Sequence, residues 1–122
     1  MHAGRRILVV DDNPDAVATL SIALRRAGHE VHHARDGRSA IELARACRPE
    51  FIFLDIGLPG MSGHDVARAI RLDATLAGAR LIALTGSGQE HDREQALAAG
   101  FDQFLVKPID LAFVESLLGR RR

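Results

Sequence analysis

The chain has no tryptophan, no tyrosine and a single cysteine, Cys47, and its 16 Lys+Arg residues are balanced by 16 Asp+Glu. Each shortage excludes a class of function. One cysteine rules out an internal disulfide and a cysteine-based zinc site, and it fits a reducing compartment. A formal net charge of zero leaves nothing global to steer the molecule toward nucleic acid or an anionic membrane, so no direct nucleic-acid partner is expected. Stacking platforms are scarce without Trp or Tyr. Met1 to Arg6 has no apolar h-region and no window reaches the length of a membrane span, so a cytoplasmic protein without membrane contact is expected. The 122 residues form one domain, 1–122, of a size that buries about two-thirds of its unfolded surface.

What is present is organised around Phe51-Ile52-Phe53-Leu54-Asp55, four large apolar residues running into one carboxylate, followed at once by Gly57-Leu58-Pro59-Gly60. An unbroken apolar run reads as a strand covered on both faces. Its first solvent-facing position lies past its carboxyl end, where open α/β sheets bind ligands, so Asp55 is delivered to a site.

Ile7 to Val10 is a second such run, ending in Asp11-Asp12 before Asn13-Pro14, a helix start with Asn as cap and Pro in the first turn. That helix carries Val17, Leu20, Leu24 and Ala27 on one stripe and stops at Gly28. Val31 to Ala34 is a mixed strand suited to a sheet edge, and Asp36 caps a helix through Ala40, Ile41, Ala44 and Cys47, ended by Pro49. Cys47 reads as a small core residue. After the central strand, a helix places Val66 and Ile70 inward and Arg68 and Arg71 outward. Leu81 to Leu84 is a buried strand leading into Thr85-Gly86-Ser87-Gly88. The helix from about Gln89 to Ala99 has only Leu97 as a large apolar residue and must pack lightly. Phe104 to Val106 is the last strand, before Lys107-Pro108, where a cis bond would aim the lysine inward. Asp110 caps a final helix with Leu111, Val114, Leu117 and Leu118 inward, and 119–122 form a basic tail.

Five strands alternating with five helices predict a doubly wound α/β fold of the flavodoxin type, a parallel sheet in the order 2-1-3-4-5. Strands one and three are then neighbours at the switch point, so Asp11, Asp12 and Asp55 converge in one crevice, joined by Thr85 and Lys107. Three carboxylates there repel unless a cation neutralises them, and an all-oxygen set suits Mg²⁺, which takes phosphate oxygens as further ligands. Asp55 can then be the nucleophile that forms an aspartyl phosphate, with Lys107, the Thr85 hydroxyl and the Gly86 backbone N–H on the phosphoryl oxygens.

These residues resemble the receiver domains of two-component response regulators, including the single-domain chemotaxis regulator and the receivers of hybrid histidine kinases. The resemblance covers nearly the whole chain. It rests on Val10-Asp11-Asp12-Asn13, on Leu54 to Gly63, on Leu84-Thr85-Gly86 and on Lys107-Pro108, in family order and near-family spacing. It implies that Asp55 is the phosphoacceptor, Asp12 a direct Mg²⁺ ligand, Asp11 a ligand through water and the Gly57 carbonyl a further ligand. It implies Thr85 and Lys107 as phosphoryl-binding groups, and Thr85 with Phe104 as a switch that alters the surface of the fourth helix, fifth strand and fifth helix. Phe104 lacks the hydroxyl of the family's commoner Tyr. Gly57 and Ser87 stand where relatives often carry longer polar side chains. The implied partners are a sensor histidine kinase or histidine phosphotransfer protein as donor and a downstream protein, the chain being a monomer or a weak phosphorylation-linked dimer. The implied role is phosphoacceptor, not turnover enzyme.

Other readings stand beside these. A receiver-like module that binds partners without phosphorylation would keep the same fold. An aspartate-dependent phosphohydrolase would want an acid where Gly57 stands, and a nucleotide binder would want a glycine where His91 stands. His29, His32 and His33 read as solvated surface residues, His32 and His33 pointing to opposite faces of a strand and so unable to share a metal. His64 follows the loop closely enough to approach the crevice.

Overall fold

The computed structural model describes residues 4–86 and 89–119. The apolar runs become strands β1 (Arg6–Val10), β2 (Glu30–Ala34), β3 (Phe51–Asp55), β4 (Arg80–Thr85) and β5 (Gln103–Val106), all parallel in the order β2-β1-β3-β4-β5. Between and after them run α1 (Pro14–Arg26), α2 (Gly37–Cys47), α3 (Gly63–Leu72), α4 (Glu90–Ala99) and α5 (Leu111–Gly119), with a short 3-10 turn at Ala74–Leu76.

Side chains alternate across the sheet, so each strand feeds two cores. Ile52 and Leu54 pack with Val66, Ile70 and Ala96 under α2, α3 and α4, while Phe53 packs with Leu20, Leu24, Val114 and Leu118 under α1 and α5. All five residues of β3 are buried.

The helix starts follow side-chain chemistry. Asn13 accepts from the Asp15 and Ala16 N–H groups, Asp36 from Ser39, Ser62 from Asp65, and Asp110 from Ala112 and Phe113. Gln89 gives α4 no such cap. At Gly63 a side chain has no room, because a Cβ would stand 2.5 Å from the Ile56 Cα and 2.7 Å from the Asp55 carbonyl oxygen. This close approach folds the Asp55 loop back onto the start of α3.

Several expected orientations are corrected. Arg71 is not turned to solvent: its guanidinium donates to the carbonyls of Gly100 (2.8 Å) and Ala79 (2.8 Å) and pairs with Asp102 at 2.7 Å. A long side chain on an outward position can curl back to polar groups at the helix end. His29 is buried, accepting the Arg5 N–H on Nδ1 at 3.0 Å, whereas His32 and His33 lie at the surface as expected, His32 partly covered and paired with Glu30. Leu97 faces solvent, and α4 packs through Ala96 and Ala99, so the helix approaches the sheet on small residues. Leu111 is exposed as well, leaving Val114 and Leu118 as the buried pair of α5. Ala27 and Cys47 are only partly covered. The expected tail residues Arg120 to Arg122 lie outside the described residues.

Candidate functional site

The register of β1 on β3 sets Val10 opposite Leu54, so the residues that follow, Asp11 and Asp55, emerge side by side. Both are buried, at 2% and 9% exposure, while Asp12 turns outward to the mouth of the crevice. Each of the three carboxylates offers an oxygen within 4.8 Å of the other two.

From β5, Lys107 reaches across and places Nζ 3.0 Å from Asp11 Oδ2 and 3.2 Å from Asp55 Oδ2. Alternation explains the meeting. Asp11, Asp55 and Lys107 continue the side of the sheet that carries Val9, Phe53 and Leu105, whereas Thr85 continues the side of Leu81 and Ala83. The Lys107 N–H donates to the Thr85 carbonyl at 2.7 Å, which ties the two strand ends together, and the Lys107–Pro108 bond is cis. Backbone N–H groups hold the acids: Gly57 donates to Asp55 Oδ1 at 2.8 Å and Asn13 to Asp11 Oδ1 at 3.0 Å.

The electrostatics are unbalanced. Burial, then the charge of Asp11, push the Asp55 carboxyl above the ordinary carboxylate range, against the Gly57 N–H and Lys107, which pull it down. Burial opposes the charge on Lys107, but its hydrogen bond to Asp11 and the charges of Asp55 and Asp11 outweigh it and raise the ammonium. One ammonium faces three carboxylates. That surplus negative charge, on hard oxygen donors only, fits a divalent cation such as Mg²⁺ and the residues expected to hold it.

A model of the response regulator receiver domain matches residues 7–118. The chain belongs to the response regulator receiver family. Receiver domains are phosphoacceptor signalling domains of two-component systems; they bind Mg²⁺ at an acidic pocket and interact with histidine kinases or phosphotransfer proteins. The chain is 38% identical over 117 residues to the DNA-binding dual master transcriptional regulator RpaA of Synechocystis, covering 96% of this receiver and 47% of RpaA. It thus spans about half the length of the transcriptional regulators it matches. Among solved structures, the receiver domain of a sensor histidine kinase of Pseudomonas aeruginosa, with magnesium coordinated in its active-site cleft, is 34% identical at a TM-score of 0.87, each chain covered to 95%. The receiver domain of the Saccharomyces cerevisiae response regulator Ssk1, solved with the histidine phosphotransfer protein Ypd1, superposes at a TM-score of 0.88 with 26% identity, over 97% of this chain and 88% of that one.

The remaining expected residues lie in or just after β4 and β5. Thr85 is buried at 5% exposure, Gly86 is exposed with open space about it, and Phe104 is half-buried against the core beneath α4. Phe104 pairs with Ala83, two residues before Thr85, so Phe104 and Thr85 share one side of the sheet. Ser87 and Gly88 lie outside the described residues. His64 makes no hydrogen bond to the crevice; its ring stands edge-on to Phe101 with centroids 6.3 Å apart, and Nε2 is buried without a partner. Two contributors escaped the sequence reading. The Asn13 backbone orients Asp11, and Gly63 clears space beneath the Asp55 loop; the crowding of glycines after Asp55 was the only signal for the second.

Proposed function

We propose that Asp55 is the residue that takes the phosphoryl group, from a phosphohistidine donor, in a Mg²⁺-dependent reaction. The observation that carries this is the pairing of buried Asp55 and Asp11 by one lysine at adjoining strand ends. A carboxylate oxygen of Asp55 forms the new P–O bond as the P–N bond to the donor imidazole breaks. The imidazole leaves with the electron pair and recovers neutrality by holding or taking one proton.

Asp11, Asp12, Asp55 and the Gly57 carbonyl would hold Mg²⁺, which when bound supplies neutralisation of the phosphoryl charge. Lys107 keeps Asp55 ionised against its raised affinity for a proton, then turns to a phosphoryl oxygen, with the Thr85 hydroxyl and the Gly86 N–H on the others. Phosphorylation draws Thr85 inward and frees space for the Phe104 ring, changing the surface of α4, β5 and α5. Each domain carries one phosphoryl group and releases it to water, so it is spent as a signal and does not turn over substrate.

The likeness to the Ssk1 receiver, solved with a histidine phosphotransfer protein, supports a histidine kinase or phosphotransfer protein as donor. The domain acts in the cytoplasm; among the described residues no helix is long and apolar enough to cross a membrane. Residues 1–122 act as one receiver unit, monomeric or weakly dimerising on phosphorylation. The test is intact mass after incubation with acetyl phosphate, with and without Mg²⁺. A single metal-dependent phosphoryl adduct, absent from Asp55→Asn, is the expected result. An adduct that persists in Asp55→Asn would overturn the assignment.

A further inference from the structure

On the flank of α1 that faces the edge strand β2, outside the acidic crevice but bordering it at Pro14, lies a groove of about 280 Å³. Val17 and Ser21 are its buried residues, and Ile22, Arg25, His33 and Arg35, with Pro14 and Ala18, are its exposed ones. None of the residues assigned to phosphoryl transfer lines it.

The charge of this groove is uncompensated. Arg25 gives one nitrogen to the Val31 carbonyl at 3.0 Å, and among the described residues no carboxylate pairs with Arg25, His33 or Arg35. Two permanent positive charges and an imidazole therefore line one concavity without a carboxylate at ion-pair distance among the described residues.

A second observation is independent of charge. Ser21 is 2% exposed and its hydroxyl has no hydrogen-bond partner. A serine inside a helix ordinarily bonds the carbonyl four residues back, and a buried hydroxyl left unpaired is unfavourable. Ile22, 49% exposed, adds an apolar contact at the same groove.

We infer that this groove binds a small organic dianion, a short-chain dicarboxylate or a phosphate monoester. The Arg25 and Arg35 guanidinium groups of the lining suit a carboxylate or phosphate, the Ser21 hydroxyl supplies a donor beneath them, and Ile22 covers a short apolar body. The size agrees, being below the roughly 300–1,000 Å³ of sites that take drug-sized ligands. A partner's broad surface would rest on Ile22 and the arginines and leave the Ser21 hydroxyl unpaired.

The test is a ¹H–¹⁵N NMR titration of the Mg²⁺-free protein with succinate and with inorganic phosphate, at ionic strength held constant with chloride. Saturable shifts confined to about residues 17–25 and 31–35 are expected, with a Kd of about 1 mM or tighter. Arg35→Gln should weaken binding at least ~10-fold and Ser21→Ala about 3–5-fold, with the spectrum otherwise unchanged, while Asp55→Asn should bind as the wild type does. Shifts that chloride reproduces, that never saturate, or that survive Arg35→Gln would overturn the proposal. So would saturable binding of a Glu-rich peptide with no response to either small anion. Because the readout and the variants lie outside the acidic crevice, this result is independent of phosphorylation at Asp55.

Discussion

The two ends of the sheet treat charge in opposite ways. At the amino ends of the strands, each guanidinium nitrogen of Arg71 finds an acceptor: Gly100, Ala79 and, at 3.4 Å, Ala77 by their carbonyls, and Asp102 by its carboxylate. Asp102 also accepts the Leu81 N–H at 2.9 Å. Arg5 likewise donates to the Leu118 carbonyl and Glu50 while lying over the Phe51 ring. At the carboxyl ends, three carboxylates cluster and one lysine pairs with two of them, Asp11 and Asp55. The first end is closed and serves stability. The second is left short of positive charge, and that deficit is what a cation and a phosphoryl group can use.

The largest effect on this comparison comes from Asp55→Asn, which should remove the phosphoryl adduct altogether in intact-mass measurements while leaving the fold in place. Lys107→Ala should follow, slowing phosphorylation by acetyl phosphate about 10²–10³-fold, as loss of one preorganised donor to a developing charge does. A slowing under threefold would place the key positive charge elsewhere.

Arg71→Leu probes the closed end. Stranded carbonyls and an unpaired Asp102 should lower unfolding free energy by about 2–3 kcal/mol in urea denaturation, with the phosphorylation rate changed less than about twofold. If the rate fell as far as in Lys107→Ala, the two ends would not be separable in the way described.

The smallest effect concerns stability at the open end. Burial and the Asp11 charge raise the Asp55 carboxyl, so the folded chain holds that proton to higher pH than the unfolded chain does. Stability therefore falls as pH rises from the ordinary 3.8 through the raised folded value, and the loss persists above it. Asp55→Asn should lack that descent and melt about 2–6 °C higher than the wild type at pH 7 without Mg²⁺. Lys107 adds a second descent in the same direction at higher pH: its contribution is complete below 10.5 and is lost as pH climbs through its raised value. Calorimetric scans across pH measure both.

Much of the crevice was legible before any coordinates, because a strand buried on both faces must end in its first polar residue, and Val10–Asp11, Leu54–Asp55, Leu84–Thr85 and Val106–Lys107 all do so or nearly so. Helix faces were less legible. Leu97 and Leu111 are apolar yet exposed, and α4 is held by Ala96 and Ala99, since a helix lying close to its neighbours selects small side chains and leaves large ones outside. Arg71 and His29 misled in the other direction: polarity alone says solvent, but each has a fixed partner contributed by a distant segment.

The order of elements, the edge position of β2 and the identity of the acids at the strand ends were set by local composition, through apolar runs, caps and right-handed crossovers. Register and alternation across the sheet lie beyond any local stretch. They decided that Asp11, Asp55 and Lys107 share one side while Thr85 and Phe104 share the other, and that one lysine must serve both buried carboxylates, because each depends on where separate strands stop relative to one another.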